Sequence, residues 1–347
     1  MVKKGILTAD GDCIFHQISM TKYEAFNLKR DYDLDELARR HGFDVRQVEK
    51  VCRISDVLED VSAIKFLRER LSLYGGTALT FIHSEKIYRL SVDLDFNYRH
   101  LDEKDWGETR KDIDAKLKEL LYRQGYSSSD LAISASYPLA RITVSYTNTL
   151  GTNDSFKLEI GYMRRIPVLK TESTEEFVHI GTHETFHVKT PAKEELFANK
   201  LCTLLYRGTP RDLFDVYRIS KSKIDLEIFR KCSIIDSLMR GKPELHKLDI
   251  EKIVESINLD SNLRNVLQAE MLSKLDIDEM KEDVKEFSQK IMGYLTQNEI
   301  NAIDRFYRLQ QFEPNLIDNR GIFHSNIKDH PAIQRIAQKL SKEKKQD

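Results

Sequence analysis

Two glycines and a threonine, Gly75-Gly76-Thr77, are the first residues of this 347-residue chain whose types suit phosphate chemistry. They lie where one helical pattern ends and the next apolar stretch begins at Ala78. Glycines let the backbone turn tightly and approach a ligand closely. Backbone N–H groups at such a turn, together with the Thr77 hydroxyl, can bind a phosphate. Taken alone, the same three residues are more often an ordinary turn.

A predicted strand follows, with the sequence RLSVDLDFN at residues 89–97. Because side chains alternate along a strand, Ser91, Asp93, Asp95 and Asn97 should share one face. Two carboxylates on one face repel each other unless a cation lies between them. Mg²⁺, or Mn²⁺, takes oxygen ligands, often one or two carboxylates together with substrate phosphates. We therefore predict that Asp93 and Asp95 bind such a cation; the alternative is a solvated polar face on an edge strand.

Residues 156–160, with the sequence FKLEI, form a second predicted strand that carries a further carboxylate. The apolar residues alternate with Lys157 and Glu159, which face the other way. If this strand lies beside the first, Glu159 adds a third metal ligand or accepts the proton of an attacking hydroxyl. Lys157 then neutralises phosphate charge. The alternative is a cross-strand ion pair on a solvated sheet.

Lys200 lies in the middle of the apolar face of a predicted helix over residues 193–206. A buried ammonium group is costly unless it is paired, so a triphosphate or a carboxylate is the expected partner. The alternative is a lysine that extends its charged end to solvent at the margin of the core.

The next predicted helix carries two acids that could pair with Lys200. Thr209 is the predicted N-cap, Pro210 occupies the first helical position, and Asp212 can return a capping bond. Asp212 and Asp215 both remain open as partners of the lysine.

Two further motifs are weaker. His179, His183 and His187 are spaced by four, but in a segment predicted to be loop and strand, so a zinc site is not favoured. Residues 34–51 predict two helices around Gly42 that superficially look like a helix-turn-helix. Short helix pairs are mostly packing units, so a DNA-reading role is not favoured either.

The elements that must position these residues divide the chain into three predicted regions. An N-terminal helical segment spans residues 1–72, and its clearest amphipathic pattern continues to residue 74. An α/β core spans residues 73–190, with a helix ending at Gly125, a hairpin around the turn NTLGTND, and possible edge strands at RRIPVLK and ETFHVKT. A helical C-terminal domain spans residues 191–347. The predicted fold class is α+β.

The composition and net charge limit the classes of function that the sequence predicts. Hydrophobic residues make up 40% and charged residues 32% of the chain, and the net charge is −1. The whole chain therefore does not predict a simple nucleic-acid-binding protein, because a polyanion would need a local basic surface. We find no membrane-span pattern and no signal peptide. Four scattered cysteines show no metal or disulfide spacing, which favours a cytoplasmic protein.

Together these motifs resemble those of the AbiEii/AbiGii (MenT-like) toxin family of nucleotidyltransferases, within the DNA polymerase β-like superfamily. The resemblance covers residues 45–335 and rests on motifs in the family's order: Gly75-Gly76-Thr77-Ala78-Leu79, Arg89-x-Ser91-x-Asp93-Leu94-Asp95-Phe96, Lys157-x-Glu159, Lys200 and Arg211-Asp212-Leu213-Phe214-Asp215. The motif that is Lys157-x-Glu159 in this chain often reads Lys-x-Asp in the family, so this chain has glutamate where aspartate is common.

The resemblance implies a nucleotidyltransferase-type mixed β-sheet core with flanking helices, followed by a helical C-terminal domain. It implies Mg²⁺ binding by Asp93 and Asp95, and completion of the catalytic site by Lys200 and Asp212. It also implies that Gly75, Gly76 and Thr77 hold nucleotide phosphates. To these residues we add a catalytic and metal-binding role for Glu159, and four nucleotide-binding candidates: Arg89, Ser91, Lys157 and Asp215.

The implied reaction is transfer of NMP from NTP to an acceptor hydroxyl, at the 3′ end of tRNA. Members of the family are toxins that act beside a separate antitoxin protein. Two alternatives remain at this point. One is transfer to a protein hydroxyl, and the other is a non-catalytic nucleotide-binding module that partners an antitoxin.

Overall fold

The computed structural model describes residues 29–99 and 106–344 and, outside them, two paired strands, β1 (Ile6–Leu7) and β2 (Cys13–Ile14). The first continuous part begins with three helices: α1 (Leu34–His41), α2 (Val45–Ala63) and α3 (Lys65–Arg70). Gly42 ends α1 in the left-handed conformation, with a φ of 72°. The predicted helix pair around Gly42 is therefore confirmed.

Helix α2 is part of the protein core. Residues 51–58 are all buried, and the helix packs against the sheet and a later helix. A DNA-recognition helix must present its side chains to a groove of the duplex. The burial of most of α2 therefore argues against the helix-turn-helix interpretation of residues 34–51.

The amphipathic helix that we predicted up to residue 74 ends earlier. Helix α2 stops at Ala63, α3 stops at Arg70, and the next four residues form strand β3 (Leu71–Tyr74). All four residues of β3 are buried, and each pairs with a residue of the neighbouring strand. Strand pairing between residues distant in sequence has overridden the local helical periodicity, which is a common outcome for short apolar segments.

The main sheet has five strands in the order β3-β4-β7-β6-β5. Between them lie two helices, and the elements that follow β3 are α4 (Gly75–Phe81), β4 (Leu94–Tyr98), α5 (Trp106–Arg123), β5 (Leu131–Ala135), β6 (Leu139–Thr147) and β7 (Asn153–Gly161). Strands β4 and β7 are parallel, and the other neighbours are antiparallel. The predicted hairpin is the β6–β7 pair, and the predicted helix before Gly125 is α5.

A second sheet pairs β8 (Ser173–Val178) with β9 (Thr185–Thr190). Strand β9 confirms the prediction for ETFHVKT. The prediction of a strand at RRIPVLK is wrong, because this segment has a single bridge, between Leu169 and Phe323. Its backbone instead bonds to the loop around residue 322, which lies between the last helices of the chain.

Residue 193 begins the helical part, with α6 (Lys193–Arg207), α7 (Pro210–Ser220), α8 (Leu226–Leu238), α9 (Ile250–Glu255), α10 (Ser261–Arg264), α11 (Ala269–Lys274), α12 (Ile277–Gly293), α13 (Gln297–Leu309), α14 (Pro314–Ile317) and α15 (Pro331–Glu343). Three short 3₁₀ turns complete the described elements: Ser128–Asp130, Leu245–Lys247 and Ile327–Asp329. Strand β3 begins two residues before our proposed boundary at 73, and the divisions at 72 and 190 stay proposals. None of the helices in residues 29–99 and 106–344 has the length and apolar composition needed to cross a bilayer.

A buried ion network joins the sheet to the helical part. Asp236 on α8 lies 2.6 Å from the guanidinium of Arg164, which follows β7, and accepts a 2.6 Å hydrogen bond from Arg240. It also accepts a hydrogen bond from Asn199, at 3.0 Å. Asn199 precedes Lys200 on α6, so this network fixes the helix that presents Lys200 to the sheet.

Candidate active site

The loop before β4 carries Ser91 and Asp93, and it is pinned at both ends. Strand β4 begins at Leu94, so these two residues precede the strand instead of lying in it as we predicted. The reason is a competing contact: Arg89 bridges to Leu267, and the Leu90 N–H donates to the carbonyl of residue 266 at 2.8 Å. The helical part thus holds the start of the loop away from the sheet.

Thr77 holds the other end of this loop. Its hydroxyl donates to the backbone carbonyl of Asp93 at 2.6 Å and lies 3.0 Å from Oγ of Ser91. Thr77 is fully buried. We predicted a phosphate contact for this hydroxyl, but the group is already engaged, and its effect is to position Asp93.

The two glycines allow the acidic residues to come close to α4. A Cβ atom on Gly75 would lie 2.1 Å from Oδ2 of Asp95, and one on Gly76 would lie 2.7 Å from Oγ of Ser91. Gly75 also has a φ of 72°, which a residue with a side chain adopts only at a cost. Both positions therefore require glycine for the observed packing of Asp95 and Ser91.

Asp95 on β4 and Glu159 on β7 are direct partners across the parallel pair. The second predicted strand therefore lies beside the first, as expected. Glu159 in turn faces Arg141 on β6, whose Nε donates to Oε1 of Glu159 at 2.6 Å. A row of three charged side chains thus crosses three strands, with the guanidinium at its outer end.

Asp93 approaches the same row from the loop. Its Oδ1 accepts a hydrogen bond from the backbone N–H of Lys157 on β7, at 3.0 Å. The side chain of Lys157 is exposed, on the strand face opposite the buried Phe156 and Leu158. The predicted alternation along β7 is therefore confirmed.

The electrostatics of Asp95 reflect its crowded surroundings. Burial, together with the nearby Glu159 and Asp93, raises the pKa of this carboxyl to about 6 against the lowering effect of Lys200. A cation beside these acids would remove the part of this pKa increase that comes from repulsion. The arrangement therefore matches the chemistry of a site that attracts positive charge.

Lys200 and Asp215 form the pair on the helical side of the site. The Lys200 ammonium lies 3.0 Å from Oδ2 of Asp215, and Arg89 donates two hydrogen bonds to the same carboxylate, at 2.6 and 2.7 Å. Burial opposes ionisation of Asp215, but Arg89 and Lys200 outweigh it and hold its pKa below the ordinary value. Arg89 was predicted to bind nucleotide; its guanidinium is buried and engaged with Asp215 instead.

Asp212 occupies the other position that the sequence left open. It forms the predicted capping box with Thr209, whose hydroxyl donates to Oδ2 of Asp212 at 2.6 Å. It also accepts two hydrogen bonds from Arg207, at 2.9 and 2.6 Å. Lys200 therefore pairs with Asp215, and Asp212 shapes the start of α7. The catalytic role that we predicted for Asp212 stays a prediction beside this structural one.

Two arginines at the site were missed as candidates. Arg207, the last residue of α6, has a side chain that is 61% exposed and lies near enough to Asp95 to lower its pKa. Arg211 has a buried Nε without a hydrogen-bond partner in the described chain, and its pKa is lowered by burial and by Arg89. The sequence signal was present, because both flank the Gly208 helix end beside the Asp212–Asp215 motif.

No three His, Cys, Asp or Glu side chains within residues 29–99 and 106–344 lie close enough together to hold a metal ion as one group. The predicted set of Asp93, Asp95 and Glu159 is therefore not assembled as three metal ligands, because Arg141 holds Glu159. The histidine series is no zinc site either. His179 is buried, accepts N–H groups of the following turn through Nδ1, and contacts the Tyr32 hydroxyl through Nε2 at 3.2 Å.

In a comparison with protein-family models, residues 56–308 match the family described as nucleotidyl transferase AbiEii toxin of a type IV toxin–antitoxin system. The chain belongs to the AbiEii family. It is a nucleotidyltransferase toxin of this family, and the match includes every site residue from Gly75 to Asp215. A comparison with curated protein sequences found no match.

Among solved structures, this AbiEii-family protein is similar to MenT4, a nucleotidyltransferase toxin from Mycobacterium tuberculosis H37Rv, with a TM-score of 0.56. The two sequences are 16% identical, and the alignment covers 88% of this chain and 99% of that chain. At this identity the likeness concerns the fold. It confirms the predicted α+β class with a nucleotidyltransferase-type core.

Proposed function

We propose that this AbiEii-family enzyme transfers NMP from NTP to the 3′ hydroxyl of an RNA, with tRNA as the acceptor, in a Mg²⁺-dependent reaction. The observation that carries the proposal is the direct pairing of Asp95 with Glu159 across parallel strands, with Asp93 alongside. Lys200 and Asp215 face this group from the helical part. Acids that attract a cation and basic groups that attract phosphate thus meet at one place.

Two of the three predicted metal ligands, Asp93 and Asp95, form a donor set that fits a hard divalent cation. Asp93 and Asp95 both offer carboxylate oxygens. Burial is the main cause that raises the pKa of Asp95 to about 6, and a cation would relieve the part of the increase that Glu159 and Asp93 contribute. Two protein carboxylates are enough, because Mg²⁺ usually completes its shell with water and substrate phosphates. When bound, the metal would polarise the α-phosphate and stabilise the leaving pyrophosphate.

The protein's own cations would hold the triphosphate. Lys200 is buried and shares Asp215 with Arg89, so the trio carries one positive charge in excess. Arg207 is exposed beside the acids, and the buried Nε of Arg211 has no hydrogen-bond partner among the residues that the structure describes. Such groups bind phosphate oxygens well, since the site is poorly hydrated and arginine donates in a fixed, forked geometry.

Glu159 is the proposed proton acceptor. The acceptor hydroxyl oxygen would form a bond with the α-phosphorus while the bond to pyrophosphate breaks, and the hydroxyl proton would pass to a carboxylate. Glu159 is part-exposed next to Asp95, so an incoming hydroxyl can reach it. Arg141, which donates a hydrogen bond to Glu159, would release this carboxylate when it accepts the proton and bind it again afterwards.

We also propose that the protein acts in the cytoplasm beside a separately encoded antitoxin. The family description as a type IV toxin–antitoxin component supports this. The neighbouring reading frame is the simplest check, because a small adjacent partner gene is expected.

The decisive experiment incubates the purified protein with total RNA, Mg²⁺ and each NTP labelled at the α-phosphate. We expect label in the tRNA fraction, because NMP transfer retains the α-phosphate; a γ-labelled NTP should give none. Asp93→Ala and Asp95→Ala should each reduce labelling by at least about a hundredfold. Label on a protein would replace RNA with a protein hydroxyl as the acceptor. Full labelling by both variants would show that the site lies elsewhere.

A further inference from the structure

A groove in the helical part, between the segment after α8 and helix α13, is bordered by four cationic side chains: Lys242, Lys247, Arg305 and Arg308. Two of them are locally neutralised. Lys247 lies 3.0 Å from Glu244, and Arg305 lies 2.7 Å from Glu313. The groove lining also includes two acids, Glu244 and Asp304, and its four cations outnumber them.

Lys242 and Arg308 provide that surplus. Both side chains are exposed, and neither forms an ion pair with any residue in the described part of the chain. The chain as a whole has a net charge of −1, so a local positive surplus is not a consequence of overall composition. Exposed cations without acidic partners attract polyanions over a range of about 10 Å at moderate salt.

The groove is connected to the candidate active site through Tyr206. The Tyr206 hydroxyl donates to the backbone carbonyl of Pro243 at 2.8 Å, next to Lys242. Tyr206 directly precedes Arg207 at the end of α6, whose guanidinium bonds to Asp212 at the start of α7. The adjacent residues Tyr206 and Arg207 therefore link the segment that carries Lys242 to the end of α6 beside Asp95.

We propose that this groove, named here the Lys242–Arg308 groove, binds the phosphate backbone of the acceptor RNA and directs its 3′ end past Arg207 to Asp95. The proposal rests on the RNA acceptor of the proposed function. Separated surface cations suit a repeating polyanion, whereas a protein partner would require a central apolar anchor. The groove offers no large apolar side chain as such an anchor among its lining residues, since these include only Leu316 and the largely buried Tyr307 beside polar and charged residues.

The test compares two double variants, each of which reverses the charge of one lysine and one arginine. Lys242→Glu with Arg308→Glu removes the unpaired charges of the groove. Lys111→Glu with Arg123→Glu makes the same charge change on α5, where both side chains are exposed and which packs against α2. Thermal unfolding monitored by circular dichroism checks that both variants are folded. The probe is deacylated tRNA with an intact 3′ end, labelled with α-phosphate-labelled NTP.

We expect the groove variant to raise the KM for tRNA by about tenfold or more at 0.15 M salt, with the KM for NTP unchanged. The plot of log kcat/KM against log salt should become less steep by about 1.5 to 2, the amount for two lost phosphate contacts. The α5 variant should match the wild type in both measurements. Equal tRNA kinetics for the two double variants, with wild-type labelling intact, would overturn the groove and leave the proposed function standing. Absence of tRNA binding and labelling by the wild type would overturn both.

Discussion

The ammonium of Lys200 lies 3.0 Å from Oδ2 of Asp215, while Arg89 donates two hydrogen bonds to the same carboxylate. All three groups are buried, so two positive charges share one negative charge in a poorly hydrated place. The excess charge faces Asp95, whose pKa it lowers. The Lys200–Asp215 pair therefore links the helical part to the acidic row of the sheet by charge as well as by packing.

Replacement of Asp215 should be far more damaging than replacement of Asp212. Asp215→Ala leaves two buried cations without a partner, and we expect a loss of about 3–5 kcal/mol of unfolding free energy. Asp212→Ala removes a capping bond and a pair with the exposed Arg207, which should cost about 1–2 kcal/mol. Urea unfolding of the two variants measures the difference. Equal losses would show that Asp215 does not hold the two buried cations as proposed.

Gly75→Ala should abolish most turnover without unfolding the protein. The added Cβ would overlap Asp95, and a displacement of about 1 Å at a reacting centre can reduce turnover by about a hundredfold. Gly151→Ala is the matched control, because Gly151 has a similar φ of 76° but no atom within 4 Å of an added Cβ. Both variants should lose about 1 kcal/mol of stability from the left-handed backbone. Normal turnover of Gly75→Ala would show that Asp95 tolerates displacement.

Thr77→Val should reduce turnover, and Thr77→Ser should not. Valine keeps the shape of the side chain but removes the hydroxyl that donates to the Asp93 carbonyl. The unpaired buried carbonyl should cost about 1–3 kcal/mol of stability, and the loop that carries Asp93 should loosen. NTP-dependent labelling and thermal unfolding test both effects. If serine and valine behave alike, the hydroxyl has no part in holding Asp93.

Glu159→Gln and Arg141→Gln separate the two roles of Glu159. If the carboxylate accepts a proton in the reaction, Glu159→Gln should lower kcat by about 10²- to 10⁴-fold. Arg141→Gln removes only the 2.6 Å partner and should change kcat far less. If Glu159 serves only the ion pair, both variants should show the same small change, since an exposed pair contributes about 1 kcal/mol or less.

Acid should destabilise the fold through His330. Burial, with Arg164 and Arg99 nearby, lowers the pKa of this fully buried imidazole to about 3, against 6.5 in the unfolded chain. Below pH 6.5 the unfolded state therefore binds more protons, and stability falls as the pH drops from 6.5 towards 3. The contribution lost at pH 5 should be about 2 kcal/mol.

The matched variant for this effect is His330→Asn, which keeps a side-chain acceptor for the Ala332 N–H at the start of α15. Urea unfolding at pH 7 and pH 5 should show a smaller loss of stability in the variant than in the wild type. An identical loss in both proteins would place the acid sensitivity in other residues.

The sequence by itself determined the elements whose signals are local. The capping box of α7, the glycine end of α1, the β6–β7 hairpin and the alternation of Lys157 and Glu159 against an apolar face all follow from neighbouring residues. The order of the motifs was enough to indicate the family, because their spacing along the chain is itself the signal.

The tertiary structure alone decided which of these groups contact one another. Contacts between distant residues turned residues 71–74 from helix to strand and kept Asp93 outside β4. They also selected Asp215 over Asp212 as the partner of Lys200, and gave Glu159 an arginine neighbour. Periodicity identifies the face on which a side chain lies, but charges pair according to distances in space, and only the packing of α6 and α7 on the sheet sets those distances.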